Sequence, residues 1–99
     1  MKKKLRVGMI GYGFMGKAHT NAFRQAAKFF PDLPYEPELK MFCARNEERA
    51  KSFASNWGYE KVVTDWKEVV ESKEIDVIDI CAPNNMHHDI AIAAAENGK

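Results

Sequence analysis

Leu5-Arg6-Val7-Gly8-Met9-Ile10-Gly11-Tyr12-Gly13-Phe14-Met15-Gly16 is the stretch that decides how this chain folds. A short apolar run ends in a glycine turn of the form G-x-G-x-x-G, and a helical pattern follows. The spacing alone is a weak signal and also fits an ordinary glycine-rich turn. With a strand before it and a helix after it, the spacing becomes a dinucleotide-binding turn. Gly11 permits the tight turn off the strand. Gly13 keeps side-chain atoms away from a pyrophosphate, and Gly16 lets the helix lie close on the sheet. The helix then presents unpaired N–H groups and the positive end of its dipole to the phosphates.

Outward from that turn, strand and helix alternate to the end of the chain. Residues 5–10 read as a buried strand. Residues 14–28 read as a helix with Met15, Ala18, Ala22, Phe23 and Ala26 at helical spacing. Pro31, Pro34 and Pro37 predict an irregular loop over residues 29–37, packed down by its aromatic residues. A second strand over 38–43 alternates Leu39, Met41 and Cys43. Asn46 is placed to cap the next helix, with Glu47 and Glu48 in its first turn and Gly58 as its stop. Val62 and Val63 mark a short third strand. Asp65 and Glu68 have capping-box spacing for a short helix carrying Trp66, Val69 and Val70. Residues 75–81 form the fourth strand, and a last helix runs over 86–96. The expected fold is α/β, a doubly wound parallel sheet of Rossmann type with about four strands in the order 3-2-1-4.

Ninety-nine residues with 45% apolar and 29% charged composition make one small globular domain. A net charge of +1 gives no pointer to nucleic acid or to an anionic membrane surface, and Lys2-Lys3-Lys4 reads as a solvated tail. No apolar stretch reaches the length of a membrane span, and the N-terminus carries no secretory signal pattern. Cys43 and Cys81 fall at strand ends without a Cys-x-x-Cys spacing. They read as small buried thiols in a reducing cytoplasm rather than as a metal or redox pair. His19 and His88 read as surface or packing residues, and no metal-ligand spacing is visible.

Ligands of an open parallel sheet bind outside the carboxyl ends of the strands. The first such end is the glycine turn. At the second, Cys43-Ala44-Arg45-Asn46, an NAD site usually carries an acidic residue for the adenosine ribose. Here Ala44 removes the repulsion toward a 2′-phosphate and Arg45 supplies a guanidinium that pairs with one, which leans the cofactor toward NADP. The alternative is that Arg45 stacks on adenine or caps the loop, with NAD held through Asn46 or the backbone. At the third end, Cys81-Ala82-Pro83-Asn84, a rigid proline and an amide can wall the nicotinamide-ribose end. His87 follows, either as a donor to a phosphate or ribose or as a structural residue.

These segments, together with Arg45-Asn46-Glu47-Glu48-Arg49-Ala50, Ile75-Asp76-Val77-Ile78-Asp79-Ile80-Cys81-Ala82-Pro83-Asn84, His87 and Ala94-Ala95-Glu96-Asn97-Gly98-Lys99, occur in an order that resembles the N-terminal domain of the Gfo/Idh/MocA oxidoreductases. This is the glucose–fructose oxidoreductase and inositol dehydrogenase family, and the resemblance spans the whole chain. It implies an NAD(P)-dependent enzyme acting on hydroxyls of sugars, inositols or polyols, homo-oligomeric as a whole protein. It also implies that Gly11, Gly13, Phe14, Met15, Gly16, Arg45, Pro83, Asn84 and His87 contact the cofactor. Two features depart from the family pattern. Ala44 stands where NAD-preferring members carry an acid, and the 29–37 loop is long, although some polyol-type members share such an insertion. In the family, a Gly-Lys like Gly98-Lys99 leads into a fifth strand ending in Glu-Lys-Pro, whose lysine is catalytic, and then into a substrate domain. None of the 99 residues is therefore assigned a catalytic role, and the chain reads as the cofactor-binding part of a longer enzyme. The last predicted strand, 75–80, would be left as an edge open to pairing. A different class, a non-catalytic nucleotide-binding or redox-sensing module, is the competing reading.

Overall fold

The computed structural model describes residues 3–11 and 13–99, apart from the side chains of Ala27 and Asn84. Among them, β1 (Lys3–Ile10), β2 (Tyr35–Cys43), β3 (Lys61–Val63) and β4 (Val77–Ile80) form one parallel sheet in the order β3-β2-β1-β4, as the alternating pattern predicts. Lys3 and Lys4 belong to β1 rather than to a solvated tail, because they pair with Tyr35 and Glu36 of β2. The helices are α1 (Phe14–Phe29), α2 (Glu47–Trp57), α3 (Trp66–Glu71) and α4 (Asn84–Glu96).

Side chains alternate between the two faces and build two cores, but an irregularity at Lys40 breaks the predicted Leu39, Met41, Cys43 alternation and puts Leu39 on the face opposite Met41 and Cys43. On one face Met9, Leu39 and Phe42 meet Ala50, Phe53 and Ala54 of α2, with Phe23 of α1 packed against them. Phe42 is fully buried and stacks on Phe53 with ring centroids 4.5 Å apart. On the other face Ile10, Met41 and Cys43 meet Val69 and Val70 of α3 and Ile90 and Ala94 of α4. Helices on both faces bury the sheet and leave the carboxyl ends of its strands facing one way. Thr20 is the one buried polar residue of this core among the described residues. Its hydroxyl lies 2.7 Å from that of Tyr59, so both are satisfied.

Both expected cap residues cap their helices, although the Asp65 side chain bonds Lys67 and not Glu68, the position its capping-box spacing marked. Asn46 accepts a hydrogen bond from the Arg49 N–H at 3.0 Å, and Asp65 accepts one from the Lys67 N–H at 2.9 Å. The expected loop over 29–37 is shorter than predicted, because β2 begins at Tyr35 and carries Pro37 inside it. Pro34 faces β1, its carbonyl accepting from the Lys3 N–H, and alternation turns the Pro37 nitrogen to the opposite side. There β3 reaches back only as far as Met41, so the missing N–H of Pro37 breaks no ladder bond. The aromatic residues of this region do not pack down either: Phe29 is 74% exposed and Phe30 is 62% exposed. The fourth strand is also shorter than predicted, β4 covering Val77–Ile80, and α4 begins two residues earlier, at Asn84. The β4 edge away from β1 has no neighbouring strand among the described residues.

A forked ion pair ties β1 to the entry of β4. Asp76 accepts from the Arg6 backbone N–H at 2.8 Å, from Nε at 3.0 Å and from Nη2 at 3.1 Å. These hydrogen bonds hold the Asp76 carboxyl at about 2, below its ordinary value of 3.8. A carboxylate lowered on folding stabilises the fold above its unfolded value and loses that contribution as pH falls through the folded one. Asp76→Asn is therefore expected to lower the urea midpoint at neutral pH. The gap from the parent should close as pH falls from about 4 to about 2. A gap that stays constant across that range would show that the pair contributes nothing through ionisation.

Candidate functional site

The glycine turn closes the carboxyl end of β1 against its neighbours. The Gly11 N–H donates to the Cys43 carbonyl at 2.8 Å, and the Cys81 N–H donates to the Ile10 carbonyl at 2.7 Å. The turn is thus bonded to the end of β2 on one side, and β1 to the end of β4 on the other. Gly11 has φ +94°, and a Cβ there would stand 2.7 Å from backbone atoms of Cys81 and Ala82. Gly13 has φ +96° with ψ −162°, a region open essentially to glycine alone. A Cβ built on Gly13 would meet nothing within 4 Å. The space it would enter is an open cradle at the start of α1, whose first N–H groups have no carbonyl of the helix to bond.

A cleft of about 360 Å³ opens there. Gly11 and Gly13 form its floor, with Ile10 beneath. Cys43, Ala44 and Arg45 give the wall at the end of β2, and Cys81, Ala82 and Pro83 give the wall at the end of β4. Thr64, Trp66 and Met86 complete the lining. An apolar cleft with glycines at a helix N-terminus fits a flat ring system joined to phosphates.

The residues read from the sequence do not all meet in one place. Gly11, Gly13, Arg45 and Pro83 line the cleft together. Gly16 is buried in the first turn of α1, where it suits close packing on the sheet. Phe14 and Met15 lie outside the lining, 83% and 53% exposed at the start of α1. Asn84 begins α4, and its side chain lies outside the described residues. His87 turns back to the loop, its Nε2 donating to the Ala82 carbonyl at 2.7 Å. In the neutral ring this leaves Nδ1 as an acceptor, which suits a ribose hydroxyl and not a phosphate.

Arg45 is exposed and reaches across the cleft mouth to α4, with Nη2 3.4 Å from the Met86 sulfur. A thioether is a weak acceptor, so the contact leaves the guanidinium available to an anion. The side-chain oxygen of Asn46 is engaged in capping α2.

Sequence reasoning missed the apolar walls, Thr64, Trp66 and Met86, because nothing in their local spacing marks a ligand. It also missed a polar cluster beside the cleft. His19 Nδ1 donates to Asp79, 2.8 Å from Oδ2 and 3.0 Å from Oδ1, and Cys81 Sγ lies 3.4 Å from both His19 Nδ1 and Asp79 Oδ1. Far from being a surface or packing residue alone, His19 is bonded across 60 positions of sequence to the end of β4. The thiols sit at strand ends as predicted and both are free, but only Cys43 is buried as expected, Cys81 being half-buried at the cleft wall. Burial pushes Cys43 up to about 12, and burial with the Asp79 carboxylate pushes Cys81 up to about 12. No helix of the described residues is long and apolar enough to cross a membrane.

Comparison with known proteins agrees with this fold. The Gfo/Idh/MocA family model, described as an oxidoreductase family with an NAD-binding Rossmann fold, matches residues 5–99. Levoglucosan dehydrogenase of Pseudarthrobacter phenanthrenivorans is 43% identical over 97 residues, covering 98% of this chain and 25% of the relative. The scyllo-inositol 2-dehydrogenase (NAD(+)) of Bacillus subtilis is 32% identical over 101 residues, covering 100% of this chain and 27% of the relative. Among solved structures, levoglucosan dehydrogenase in complex with NADH and levoglucosan superposes with a TM-score of 0.94 at 43% identity. That match covers 98% of this chain and 26% of the solved one. The chain thus spans about a quarter of the length of the relatives it matches.

Proposed function

Since the chain belongs to the Gfo/Idh/MocA oxidoreductase family, in its NAD-binding Rossmann part, we propose that it is the cofactor-binding unit, over residues 1–99, of a nicotinamide-dependent dehydrogenase acting on hydroxyls of sugars or cyclic polyols. The observation that carries this reading is the cleft at the strand ends, floored by Gly11 and Gly13 and open where a side chain at Gly13 would stand. In it the pyrophosphate lies at the start of α1, the adenosine between Arg45 and the Thr64–Trp66 wall, and the nicotinamide-ribose end toward Cys81, Pro83, Asn84 and His87. Phe14 and Met15 follow the turn and cover the pyrophosphate from the solvent side. The cofactor supplies the hydride chemistry. These residues bind and orient it, and no residue of the chain is given a catalytic role.

NADH stands in the solved complexes of the levoglucosan dehydrogenase, and NAD in the name of the Bacillus relative. These favour NAD. The lean toward NADP read from Ala44 and Arg45 finds no support among them and rests on those two residues alone. The substrate class follows the relatives, which act on levoglucosan and inositols by name. The whole enzyme is placed in the cytoplasm, where free thiols persist, as a homo-oligomer. The competing reading, a redox-sensing module, is disfavoured by thiols held at about 12, which carry almost no thiolate at neutral pH.

The test is an NADH titration read by energy transfer from tryptophan. Saturable transfer is expected in the parent and should weaken in Gly13→Ala, whose methyl would enter the cradle at the start of α1. No saturable signal, or one unchanged in a folded Gly13→Ala chain, would overturn the placement. For the whole enzyme, NAD reduction is expected with an anhydrosugar or an inositol, and inactivity on both classes would sink the substrate assignment.

A further inference from the structure

His19 and Asp79, which the proposed function does not use, form a cluster with Cys81 of the cleft wall. Each offers one ligand atom, and these atoms all lie within 4.8 Å of one another. Nδ1 of His19, Oδ1 of Asp79 and Sγ of Cys81 are separated by 3.0, 3.4 and 3.4 Å. A tetrahedral zinc ion bound at ordinary Zn–N, Zn–O and Zn–S lengths sets its ligand atoms about 3.3–3.6 Å apart. Two of the three separations already match, and the third needs to widen by a few tenths of an ångström. All three residues stand on or beside regular elements. His19 lies in the second turn of α1, Asp79 pairs with Met9 inside the sheet, and the Cys81 N–H is bonded to Ile10. The ligands are therefore held by packed backbone rather than by a loop.

We propose that His19, Asp79 and Cys81 bind one thiophilic divalent cation of the zinc type, with a fourth position left to water. The donor set is mixed nitrogen, oxygen and sulfur, which suits zinc or cobalt(II) and not magnesium or calcium. Two negative ligands, carboxylate and thiolate, balance the ion's charge. In the ion-free cluster the Cys81 thiol and the His19 Nδ1–H both point at Asp79. Binding breaks the S–H bond and forms the metal–sulfur bond, and that proton leaves to water. The neutral imidazole carries its proton on Nε2, so Nδ1 becomes a ligand. With a neutral His19 at the start, one proton is released for each cation bound, and no oxidant or reductant is needed. Cys81 also lines the cleft, so this site abuts the dinucleotide site without using either of its floor glycines.

The test is titration of the chelator-stripped chain with cobalt(II), followed by displacement with zinc. A saturable thiolate-to-cobalt absorption band at one equivalent is expected, with one proton released in weak buffer. The band should be lost in Cys81→Ser and in His19→Gln and kept in Cys43→Ser, with far-ultraviolet circular dichroism confirming that each variant is folded. Zinc should abolish it at one equivalent. Absence of a saturable band in the folded parent chain would overturn the proposal. So would a band that survives Cys81→Ser, since the ligand would then be Cys43. If both site variants fail to fold, the stoichiometry and proton release of the parent, with retention of the band in Cys43→Ser, decide the matter.

Discussion

Gly11→Ala is expected to lower stability by about 2–6 kcal/mol and to abolish measurable NADH binding. A non-glycine residue at a positive φ of this kind costs about 1–3 kcal/mol, and Gly11 sits at φ +94°. A second cost is specific to this turn. The added methyl would stand 2.7 Å from the carbonyl carbon and oxygen of Cys81 and from the Ala82 nitrogen. Those atoms are main chain at the end of β4, held by the Cys81–Ile10 hydrogen bond, and cannot rotate away as a side-chain tip would. Overpacking of that kind adds about 1–3 kcal/mol. Gly13→Ala separates folding from binding. It bears the backbone cost alone, about 1–3 kcal/mol, because nothing lies within 4 Å of the new methyl. That methyl would occupy the cradle where the pyrophosphate is placed, so NADH affinity should fall in a chain that still folds. Urea denaturation followed by circular dichroism gives the first quantity and fluorescence titration the second. A Gly11→Ala chain as stable as its parent would refute the close approach to β4. A Gly13→Ala chain with parental NADH affinity would refute the phosphate placement.

The contrast between these glycines shows what a sequence carries and what it hides. The turn, its strand and its helix are written in consecutive residues, as are the Asn46 and Asp65 caps. Parallel order follows from alternation, because crossovers of one hand leave few topologies. Pro37 misleads when read locally. Whether a proline fits a strand depends on which edge its nitrogen faces, and here that edge is open because β3 is short. Phe29 and Phe30 have the composition of packing residues, but no element lies over them in the described chain. The cleft lining is completed by Trp66 and Met86, one at the start of a short helix and one inside the last. Asp79 looks like an odd polar residue in an apolar strand until α1 folds over the sheet and brings His19 to it. These contacts join residues far apart in the chain, so no local pattern encodes them.

Arg45→Ala is expected to weaken NADPH binding by about 10–100-fold while leaving NADH within about threefold. A charge-assisted hydrogen bond to phosphate contributes about 1.5–3 kcal/mol, and NADH has no 2′-phosphate to lose it. The present position of the guanidinium supports a direct effect. It is exposed at the cleft mouth, and its contact with the Met86 sulfur is easily given up. Ala44 sharpens the test, since it lines the same wall one residue earlier. On the proposed placement of the adenosine, Ala44→Asp puts a carboxylate beside the ribose. It should repel the 2′-phosphate and accept hydrogen bonds from the free ribose hydroxyls of NADH. The double variant should therefore discriminate against NADPH more than either single change, with the two effects coupled because both act on one phosphate. If Arg45→Ala leaves NADPH affinity unchanged, Arg45 stacks on adenine or shapes the loop. Ala44→Asp would still raise NADH over NADPH in that case, because its repulsion of the phosphate does not pass through Arg45.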